Sequence, residues 1–543
     1  MNAFKHITVL LACLMLSVAG HAVQIRREPG HRIPEYILPT DHDNPSLWTP
    51  KSRLMTRGAA PGDYANSALP KTGIQEYILV LVDFNNRTFI TTDTTALLKK
   101  YNRVFNEHGY SDTSVFTRNG VVYHGATGSV SDYFMEQSYG QYTPKFRIVG
   151  PIHLSKGYDY YGKGYYDNNI GLMIREICDT LMNKGLVDLR GYSRDGSIDQ
   201  FSIIYAGKGA NYTGADDNTI WPHASTIYYN KYGIGDIKYI CSCELFWDTD
   251  SILDGIGTFC HEFSHTLGLP DFYNTQSEAE SSSNAAMGYW SIMDYGNYEN
   301  GGFSPVGYTA FEKYSLGWME LEDITYAGTY TLNNITCKPD SAADIHSAYR
   351  LNTGNDDQFI ILENHLKTGW YKYHASQGLM VTAVDYNKNN WSSDWNNVND
   401  GPKRYCILPA DNDCKRVTNA GDLFPYQGKD SITTQGSPQL KAGESYPLYS
   451  IYNITLRDSL VTFYAGPDKL SKVNNLAETQ ISIGILDGEL SVTAPVGSIV
   501  TVHDISGKPA SRTVTTAPVQ TIPLPDSGIW IVKCGNITRK VRL

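Results

Sequence analysis

One short stretch constrains this chain more than any other. It runs from Cys260 to Asp271 and contains H-E-x-x-H followed by x-x-G-x-x-D. On a helix, His261 and His265 lie four residues apart and share one face. Two imidazoles at that spacing can bind one zinc ion, and Glu262 between them can act on the water that zinc activates. The sequence therefore predicts a zinc site with His261 and His265 as ligands.

The residues after the histidines make the motif specific. H-E-x-x-H alone arises by chance in roughly one chain in fifty of this composition, so two solvated histidines on a polar helix are the alternative. Requiring Gly268 and Asp271 as well lowers the chance to about one in ten thousand. Gly268 lets the chain leave the helix in the left-handed conformation, and Pro270 keeps the helix from resuming. The turn can thus return Asp271 to the metal as a third ligand, with Glu278 as the other candidate.

The residues around the motif predict the extent of its helix. Ser251 and Asp254 fit a capping box at the start. The apolar positions recur at helical spacing and form one stripe opposite the histidines. They are Ile252, Leu253, Ile256, Phe259, Cys260, Phe263 and Leu267. We expect this stripe to pack into a core while the histidine face lines a cleft.

A second motif, Ser291 to Gly296, follows the first. It resembles the Met-turn of the metzincin zinc peptidases, S-x-M-x-Y. In that resemblance Met293 sits beneath the metal and Tyr295 can approach it, close enough to hydrogen-bond an oxyanion. A methionine buried in a glycine-rich loop is the alternative, which we would favour if the histidine motif were absent.

The start of the chain and its charge indicate where the protein acts. Residues 1–22 have Lys5, a short apolar segment and small residues before position 22, as in a secretory signal. No later segment is apolar for long enough to span a membrane. The formal net charge is −11 with no long basic run, which argues against binding to nucleic acid or to an anionic membrane surface. We therefore expect a protein that is secreted or attached to the cell surface.

The chain between the signal and the zinc motif gives two weaker predictions. Residues 23–71 are rich in Pro, Arg and polar residues and are interpreted as a pro-segment or an extended arm, with Arg57 as a plausible cleavage point. Asp188, Asp195 and Asp199 are acidic residues spaced around a glycine, as in loops that wrap Ca²⁺. An ordinary turn is the alternative to a calcium site.

At this point the residues resemble the immune inhibitor A family of secreted zinc metallopeptidases. The resemblance covers roughly residues 72–466. It rests on the zinc motif, the Met-turn and further stretches at 129–140, 206–207, 221–223, 305–308, 316–318, 359–364, 367–369, 378–381, 384–385 and 421–425. It implies a zinc endopeptidase that is made as a precursor and acts on proteins or peptides. The family's general base falls on Glu262 and its zinc histidines on His261 and His265. The acidic turn before Asp199 has fewer Asp residues than the family often has.

These observations predict an α+β protein with three folded parts. A zincin-type catalytic domain with a mixed sheet spans 72–325, and a β-rich domain of the same family spans 326–466. A polar linker, 467–480, precedes a β-sandwich at 481–543, whose short strands are separated by Gly and Pro turns. The last part resembles the sorting domain of type IX secretion cargo, which implies the secretion machinery as a partner. An ordinary carbohydrate- or protein-binding sandwich is the alternative.

The predicted activity is hydrolysis of peptide bonds, with Zn²⁺ as cofactor and Glu262 as general base and acid. The rival hypothesis is a non-catalytic surface adhesin built on a peptidase fold. A decayed enzyme would be expected to have lost Glu262 or one of the histidines, and all three are present.

Overall fold

A computed structural model of the chain forms two units, Met1–Asp468 and Lys469–Leu543. The structure describes residues 65, 67–162, 169–212, 218–247, 249–274, 286–340, 345–387, 391, 398–414, 418–468, 481–486, 489–494, 496–517, 519–524, 528–535 and 537–542. The predicted signal, the predicted pro-segment up to residue 64 with Arg57, most of the predicted linker, and Glu278 lie outside the described residues.

A five-stranded sheet forms the centre of the first unit. Its strands are β1 (Gly73–Asp83), β4 (Tyr142–His153), β5 (Ile198–Lys208), β6 (His223–Lys231) and β7 (Ile234–Leu245). The order is β4-β1-β5-β7-β6, and only the edge strand β6 runs antiparallel to its neighbour. The apolar run 77–82 lies within β1, and β6 begins directly after Trp221 and Pro222. A separate hairpin consists of β2 (Val115–Arg118) and β3 (Val121–His124).

Helices cover both faces of this sheet because its central strands are apolar on both sides. The helices are α1 (Thr94–Asn106), α2 (Val130–Gln137), α3 (Tyr158–Tyr161), α4 (Ile170–Asn183), α5 (Gly257–Thr266) and α6 (Ala310–Ser315). Leu79 and Leu81 of β1 share a core with α1, α2, α5 and α6. Ile78, Val80 and Val82 share a second core with α4. Short 3₁₀ helices occupy Leu189–Tyr192, Gly288–Trp290, Tyr295–Gly302 and Gly369–Tyr371.

The helix that carries the H-E-x-x-H motif, α5, begins later than its sequence predicts. The capping box at Ser251 and Asp254 is wrong, because α5 starts at Gly257 and has no side-chain cap. Asp254 instead accepts hydrogen bonds from the Tyr212 hydroxyl and the Gly255 amide. A Cβ atom on Gly257 would lie 1.9 Å from the Asn297 carbonyl oxygen, so close packing on a later loop decides where the helix starts.

The apolar stripe of α5 packs as predicted from Ile256 onward. Phe259 and Phe263 are buried and meet an aromatic cluster from α1, α2 and the sheet. Ring centroids are 4.7 Å apart for Phe105 and Phe259 and 4.9 Å apart for Phe134 and Phe263. These aromatic contacts fix the orientation of α5 about its own axis, and therefore the direction in which its histidines point.

The β-rich region follows the sheet-and-helix part and shares part of its core. Its strands are β8 (Glu322–Asp323), β9 (Gly328–Leu332), β10 (Ala348–Asn355), β11 (Gln358–His365), β12 (Gly378–Asp385), β13 (Tyr405–Ile407), β14 (Ser450–Arg457) and β15 (Leu460–Gly466). They form two sheets, β13-β12-β11-β10-β8 and β14-β15-β9. Phe359, Tyr371 and Tyr405 lie in the same cluster as α5 and α6. One aromatic cluster therefore crosses the predicted boundary at residue 325, while the β-rich strands also have a core of their own around Leu332, Leu362 and Phe463. The predicted α+β class with a β-rich region after the catalytic part is confirmed.

Residues before β1 also pack into this core. Ala65 and Leu69 are buried. The Ser67 hydroxyl donates a hydrogen bond to the carbonyl of Thr266, at the end of α5. The Trp318 indole donates to the Lys71 carbonyl at 2.7 Å. We call Ala65 and residues 67–71 the N-terminal strap, because they tie the end of α5 to the start of the sheet.

The second unit consists of two small sheets around a core of its own. Its strands are β16 (Ser482–Leu486), β17 (Glu489–Thr493), β18 (Ile499–His503), β19 (Pro509–Val514), β20 (Val519–Ile522), β21 (Ile529–Cys534) and β22 (Ile537–Arg542). The sheet orders are β16-β17-β20 and β19-β18-β21-β22. Leu490, Val502 and Val532 from the two sheets are buried together. This arrangement is a small β-sandwich. Among the residues that the structure describes, no helix is long and apolar enough to cross a bilayer.

The division into units predicts which truncations fold. A chain that ends at Asp468 should keep cooperative unfolding, because the second unit has its own core. A chain that ends at residue 325 should not, because Phe311 and Trp290 would lose the aromatic partners that the β-rich region supplies. Thermal unfolding followed by near-UV circular dichroism distinguishes them. Cooperative unfolding of the shorter chain would show that the two parts are independent after all.

Candidate metal centre

The two histidines of α5 point their Nε2 atoms toward the same place. The His261 Nδ1 lies 2.7 Å from the carbonyl oxygen of Ile292, and the His265 Nδ1 lies 2.8 Å from that of Leu269. A carbonyl oxygen only accepts, so each Nδ1 must carry a hydrogen and donate it. In a neutral ring this leaves the Nε2 lone pair available, which is the arrangement that metal-binding histidines have.

The turn after α5 delivers a carboxylate to these two nitrogens. Gly268 has a φ of 103°, and its amide bonds the His265 carbonyl while the Leu269 amide bonds the Ser264 carbonyl. This is the Schellman ending that a glycine after a helix favours. The Asp271 Oδ1 then lies 3.1 Å from the His261 Nε2 and 3.2 Å from the His265 Nε2.

These distances lie between those of a hydrogen-bonded cluster and those of ligands on one zinc ion, so the donor set is what points to a metal. Donor atoms about 2.0 to 2.2 Å from a tetrahedral zinc ion are roughly 3.3 to 3.5 Å from one another. With both rings neutral the buried Asp271 Oδ1 would have no donor, so either a ring proton or a metal ion has to satisfy it. Within the described residues, His261, His265 and Asp271 are the one group of three side chains close enough to hold an ion. The donor set of two imidazoles and one carboxylate suits zinc.

The protonation of the metal-free cluster follows from the same contacts. Burial lowers the pKa of His265, but the charge of Asp271 and a hydrogen bond to it outweigh burial and raise that pKa to about 9. Burial also acts to raise the pKa of Asp271, yet the two imidazoles hold it well below its usual range. At neutral pH the metal-free site therefore holds a proton between His265 and Asp271, which a metal ion has to displace.

The other oxygen of Asp271 has a partner that the sequence analysis did not single out. The Tyr273 hydroxyl donates to the Asp271 Oδ2 at 2.9 Å. This bond turns the carboxylate so that Oδ1 faces the histidines. Tyr273 lies two residues after Asp271, a spacing that places both side chains on one side of an extended segment, so the sequence did contain a signal for it.

The segment around Met293 forms one wall of the site. Met293 is fully buried, and its carbonyl accepts a hydrogen bond from the Phe272 amide at 2.8 Å. Asp294 accepts from the amides of Met287, Gly288 and Tyr295. Burial raises the pKa of Asp294 to about 7. These bonds hold the segment against Asp271, and they place the Ile292 carbonyl where it orients His261.

Glu262 and Tyr295 reach the same pocket. Both line a pocket that also includes His261, Tyr273 and Asp294. The Tyr295 ring stacks on that of Tyr273 with 6.3 Å between centroids. The structure thus brings together five of the sequence-predicted site residues, His261, Glu262, His265, Asp271 and Tyr295, and buries Met293 in the neighbouring segment.

The three residues of the predicted calcium site are not brought together. Asp188 accepts hydrogen bonds from its neighbour Arg190, and Asp199 bonds Lys238 at 2.9 Å. Asp195 has a φ of 49° in the turn that joins Arg194 and Ser197. The two cations already neutralise two of the three carboxylates. A calcium site at these residues stays a prediction that the contacts do not support.

Comparisons with known proteins agree with this geometry. Residues 71–322 match the family model described as immune inhibitor A peptidase M6, catalytic domain. The chain is 27% identical over 309 residues to the pre-pro-metalloprotease PrtV of Vibrio cholerae serotype O1 (strain M66-2), covering 48% of this chain and 32% of that protein. It is 30% identical over 148 residues to immune inhibitor A of Bacillus thuringiensis subsp. alesti, covering 24% of this chain and 21% of that protein.

The predicted resemblance to the immune inhibitor A family is confirmed for the catalytic part of the chain. The chain spans less than a third of the PrtV relative and about a fifth of the immune inhibitor A relative. The metzincin-like Met-turn and the type IX sorting domain stay predictions.

The contact between Tyr273 and Asp271 predicts a change in metal affinity. Tyr273→Phe removes the hydroxyl that orients the carboxylate, so the dissociation constant for Zn²⁺ should rise about 10- to 100-fold, as for other partners of metal ligands. Competition with a chromogenic chelator measures this. Tyr289→Phe is the matched control, because it removes a hydroxyl from another tyrosine of the same wall, whose ring lies next to that of Tyr295. Equal affinities in all three proteins would contradict the assigned role.

The raised pKa of His265 predicts how metal binding depends on pH. Below about pH 9 the metal-free ring is protonated, so zinc must release that proton, and zinc affinity should increase about tenfold per pH unit up to about pH 9. Above that pH the dependence should flatten. Chelator competition at several pH values, together with proton release in weakly buffered titrations, tests this. Zinc binding at pH 7 without proton release would contradict the predicted protonation.

Proposed function

We propose that this protein is a secreted zinc-dependent endopeptidase that hydrolyses peptide bonds of extracellular proteins. The observation that carries the proposal is the convergence of His261, His265 and Asp271 on one point beside Glu262. The match of residues 71–322 to a peptidase catalytic domain supports it independently.

In this proposal three side chains hold the metal ion and a fourth transfers a proton. The two Nε2 atoms and the Asp271 Oδ1 would hold zinc, which when bound supplies a Lewis acid that polarises a carbonyl and acidifies water. Glu262 sits one residue past His261, so it is displaced by about 100° around the helix from the ligand direction. Its carboxylate would accept the proton of the attacking water and deliver it to the leaving amine nitrogen.

Tyr295 is proposed to stabilise the oxyanion that forms on the scissile carbonyl. Its side chain is partly exposed in the pocket, whereas the stacked Tyr273 is committed to Asp271. A phenol hydroxyl aimed at the reacting centre is a suitable donor for this purpose.

We also propose that two parts of the chain serve its export. Residues 1–22 would direct secretion, and the β-sandwich of the second unit would engage a secretion machinery of type IX. The separate core of that unit supports its acting as a module.

The proposed mechanism makes a direct prediction for Glu262→Gln. The amide has nearly the same shape but cannot accept the proton, so turnover should fall about 100- to 10,000-fold while zinc content stays unchanged. Elemental analysis and cleavage of a quenched peptide measure the two properties. Asp271→Ala is the contrasting variant and should lose zinc.

The same assay separates a peptidase from a non-catalytic adhesin. Casein should be degraded by the native protein and spared after treatment with a zinc chelator. Near-normal cleavage by zinc-loaded Glu262→Gln protein would rule out the assigned general base, and absence of cleavage by the zinc-loaded native protein would favour the adhesin.

A further inference from the structure

The separate hairpin of β2 and β3 presents apolar side chains to solvent. Val115 is 58% exposed and Val122 is 51% exposed, and the register of the two strands places both on one face. The opposite face carries Phe116 and Tyr123, whose ring centroids lie 5.8 Å and 5.3 Å from that of Phe246. One face of the hairpin therefore packs onto the rest of the first unit while the other stays open.

The outer edge of β2 has backbone groups without partners. The Gly125 amide donates to the Ser114 carbonyl at 2.8 Å, so the residue pairs that exchange hydrogen bonds start there and recur at every second residue. Val115 and Thr117 fall between those pairs, and their amides and carbonyls therefore point away from β3. Within the described residues, no other segment bonds these two amides and two carbonyls.

The chain protects the other edge of the hairpin but leaves this one open. On β3, the Asn300 side chain donates to the His124 carbonyl at 2.7 Å and accepts from the His124 amide at 2.9 Å, as a neighbouring strand would. Proteins also protect sheet edges with charged side chains. Arg118 is the one charged residue of β2, and its guanidinium lies over the Trp247 ring, 5.4 Å from the centroid. The outer edge of β2 is thus neither covered nor charged by the described residues.

One short segment joins the hairpin to the metal centre. It is the 3₁₀ segment Tyr295–Gly302, whose Tyr298 lines the pocket of that centre, where its hydroxyl lies 3.4 Å from the Asn211 amide nitrogen. A Cβ atom on Gly301 would lie 2.8 Å from the Tyr123 ring, so the same segment packs closely on β3. The hairpin is therefore a direct neighbour of the pocket wall.

Successive ring contacts bound the distance between the pocket and the hairpin. Ring centroids are 6.4 Å apart for Tyr298 and Tyr212, 5.6 Å apart for Tyr212 and Phe246, and 5.3 Å apart for Phe246 and Tyr123. The Tyr298 and Tyr123 rings are therefore at most about 17 Å apart, which an extended chain covers in about five residues. A substrate bound at the metal centre can thus reach the hairpin with residues that flank its scissile bond.

We propose that the outer edge of β2, which we call the edge site, binds an extended stretch of the substrate in which every second side chain is apolar. The backbone of this stretch would pair with the free groups of Val115 and Thr117, as when a peptide adds a strand to a sheet edge. Its apolar side chains would lie beside Val115, on the open face of the hairpin. The inference rests on the proposed peptidase function and adds where that enzyme recognises its substrates beyond the scissile bond.

Three quenched peptides test the proposal with zinc-loaded protein. All share one short segment of casein that the protein cleaves, and two of them continue through a Gly-Ser spacer of about five residues into an extension. The extension alternates Val and Thr in one peptide and Ser and Asn in the other, and a second set carries it on the other side of the scissile bond. In one set the Val-Thr extension should lower KM at least about tenfold with kcat unchanged, because its contacts are made equally before and during the reaction. The Ser-Asn extension should not.

Variants of the edge identify the surface that is responsible. Val115→Lys adds the kind of charge that protects sheet edges, so it should remove the gain from the Val-Thr extension and leave cleavage of the short peptide unchanged. Val519→Lys is the matched control, because Val519 is also 58% exposed and lies on β20, an edge strand of the second unit. Thr117→Pro removes one outward amide but no hydrogen bond of the hairpin, and should weaken the gain as well. Thr117→Val keeps that amide and should keep the gain.

A binding measurement tests the edge site without turnover. The fluorescence anisotropy of the labelled Val-Thr extension alone should rise when native protein is added. Its dissociation constant should be at least about tenfold lower for native protein than for Val115→Lys protein. Val519→Lys protein should bind the extension as the native protein does.

Three results would overturn the edge site while the peptidase function stands. They are equal KM values for the short, Val-Thr and Ser-Asn peptides in both sets, an unchanged gain in Val115→Lys protein, and a native dimer in sedimentation velocity that Val115→Lys converts to a monomer. The last would assign the edge to a second copy of the chain. If zinc-loaded native protein cleaves neither casein nor any peptide, the proposed function itself has failed, and the anisotropy measurement still decides whether the edge binds the extension.

Discussion

Everything at the metal centre depends on two backbone carbonyls that fix the tautomers of two imidazoles. The Ile292 and Leu269 carbonyls each accept from an Nδ1, so both Nε2 atoms face the Asp271 carboxylate. One carbonyl belongs to the segment before Met293 and the other to the turn after α5. The motif on the helix would be two mobile histidines without these loops, since the spacing of four residues alone sets neither the tautomer nor the ring angle.

Buried acidic residues link those loops to the rest of the first unit. Glu312 accepts from the Ser291 hydroxyl and also caps α6 through the Thr309 amide. Burial raises its pKa to about 7. Glu363, on β11, accepts from the Ala310 amide at 2.8 Å. The Glu363 carboxylate thus fixes the start of α6, and Glu312 of α6 bonds Ser291. The β-rich region therefore supports the segment that orients His261.

The local parts of this architecture were predictable from the sequence. The apolar stripe of α5 from Ile256 onward and the Gly268 turn depend on neighbours in the chain, and both formed as expected. The capping box predicted at Ser251 and Asp254 was wrong, and it shows where prediction from neighbouring residues fails. Its residues suit a helix start, but Gly257 packs on the Asn297 carbonyl, a contact across the fold that no short window contains.

The residues of the candidate site likewise fall into two groups, those within one motif and those from distant segments. His261, Glu262, His265 and Asp271 lie within one motif, so their proximity could be inferred from helical spacing and one turn. Tyr273 follows at a spacing that could have been recognised. Asn211, Tyr298 and the carbonyl of Ile292 come from separate loops, and only the packing of the sheet against α5 brings them together. The sequence could likewise not reveal that one core continues past residue 325, because that continuity consists of aromatic contacts between distant segments.

The N-terminal strap bears on how an active form can be produced from a precursor. The strap falls within residues 23–71, which the sequence predicts to be a pro-segment or an extended arm, yet Ala65 and Leu69 are buried and Ser67 bonds the last turn of α5. Cleavage after them would expose apolar surface and free a helix-end carbonyl next to His265. If the chain is processed as the sequence predicts, a cut before Ala65 would leave these contacts to α5 in place.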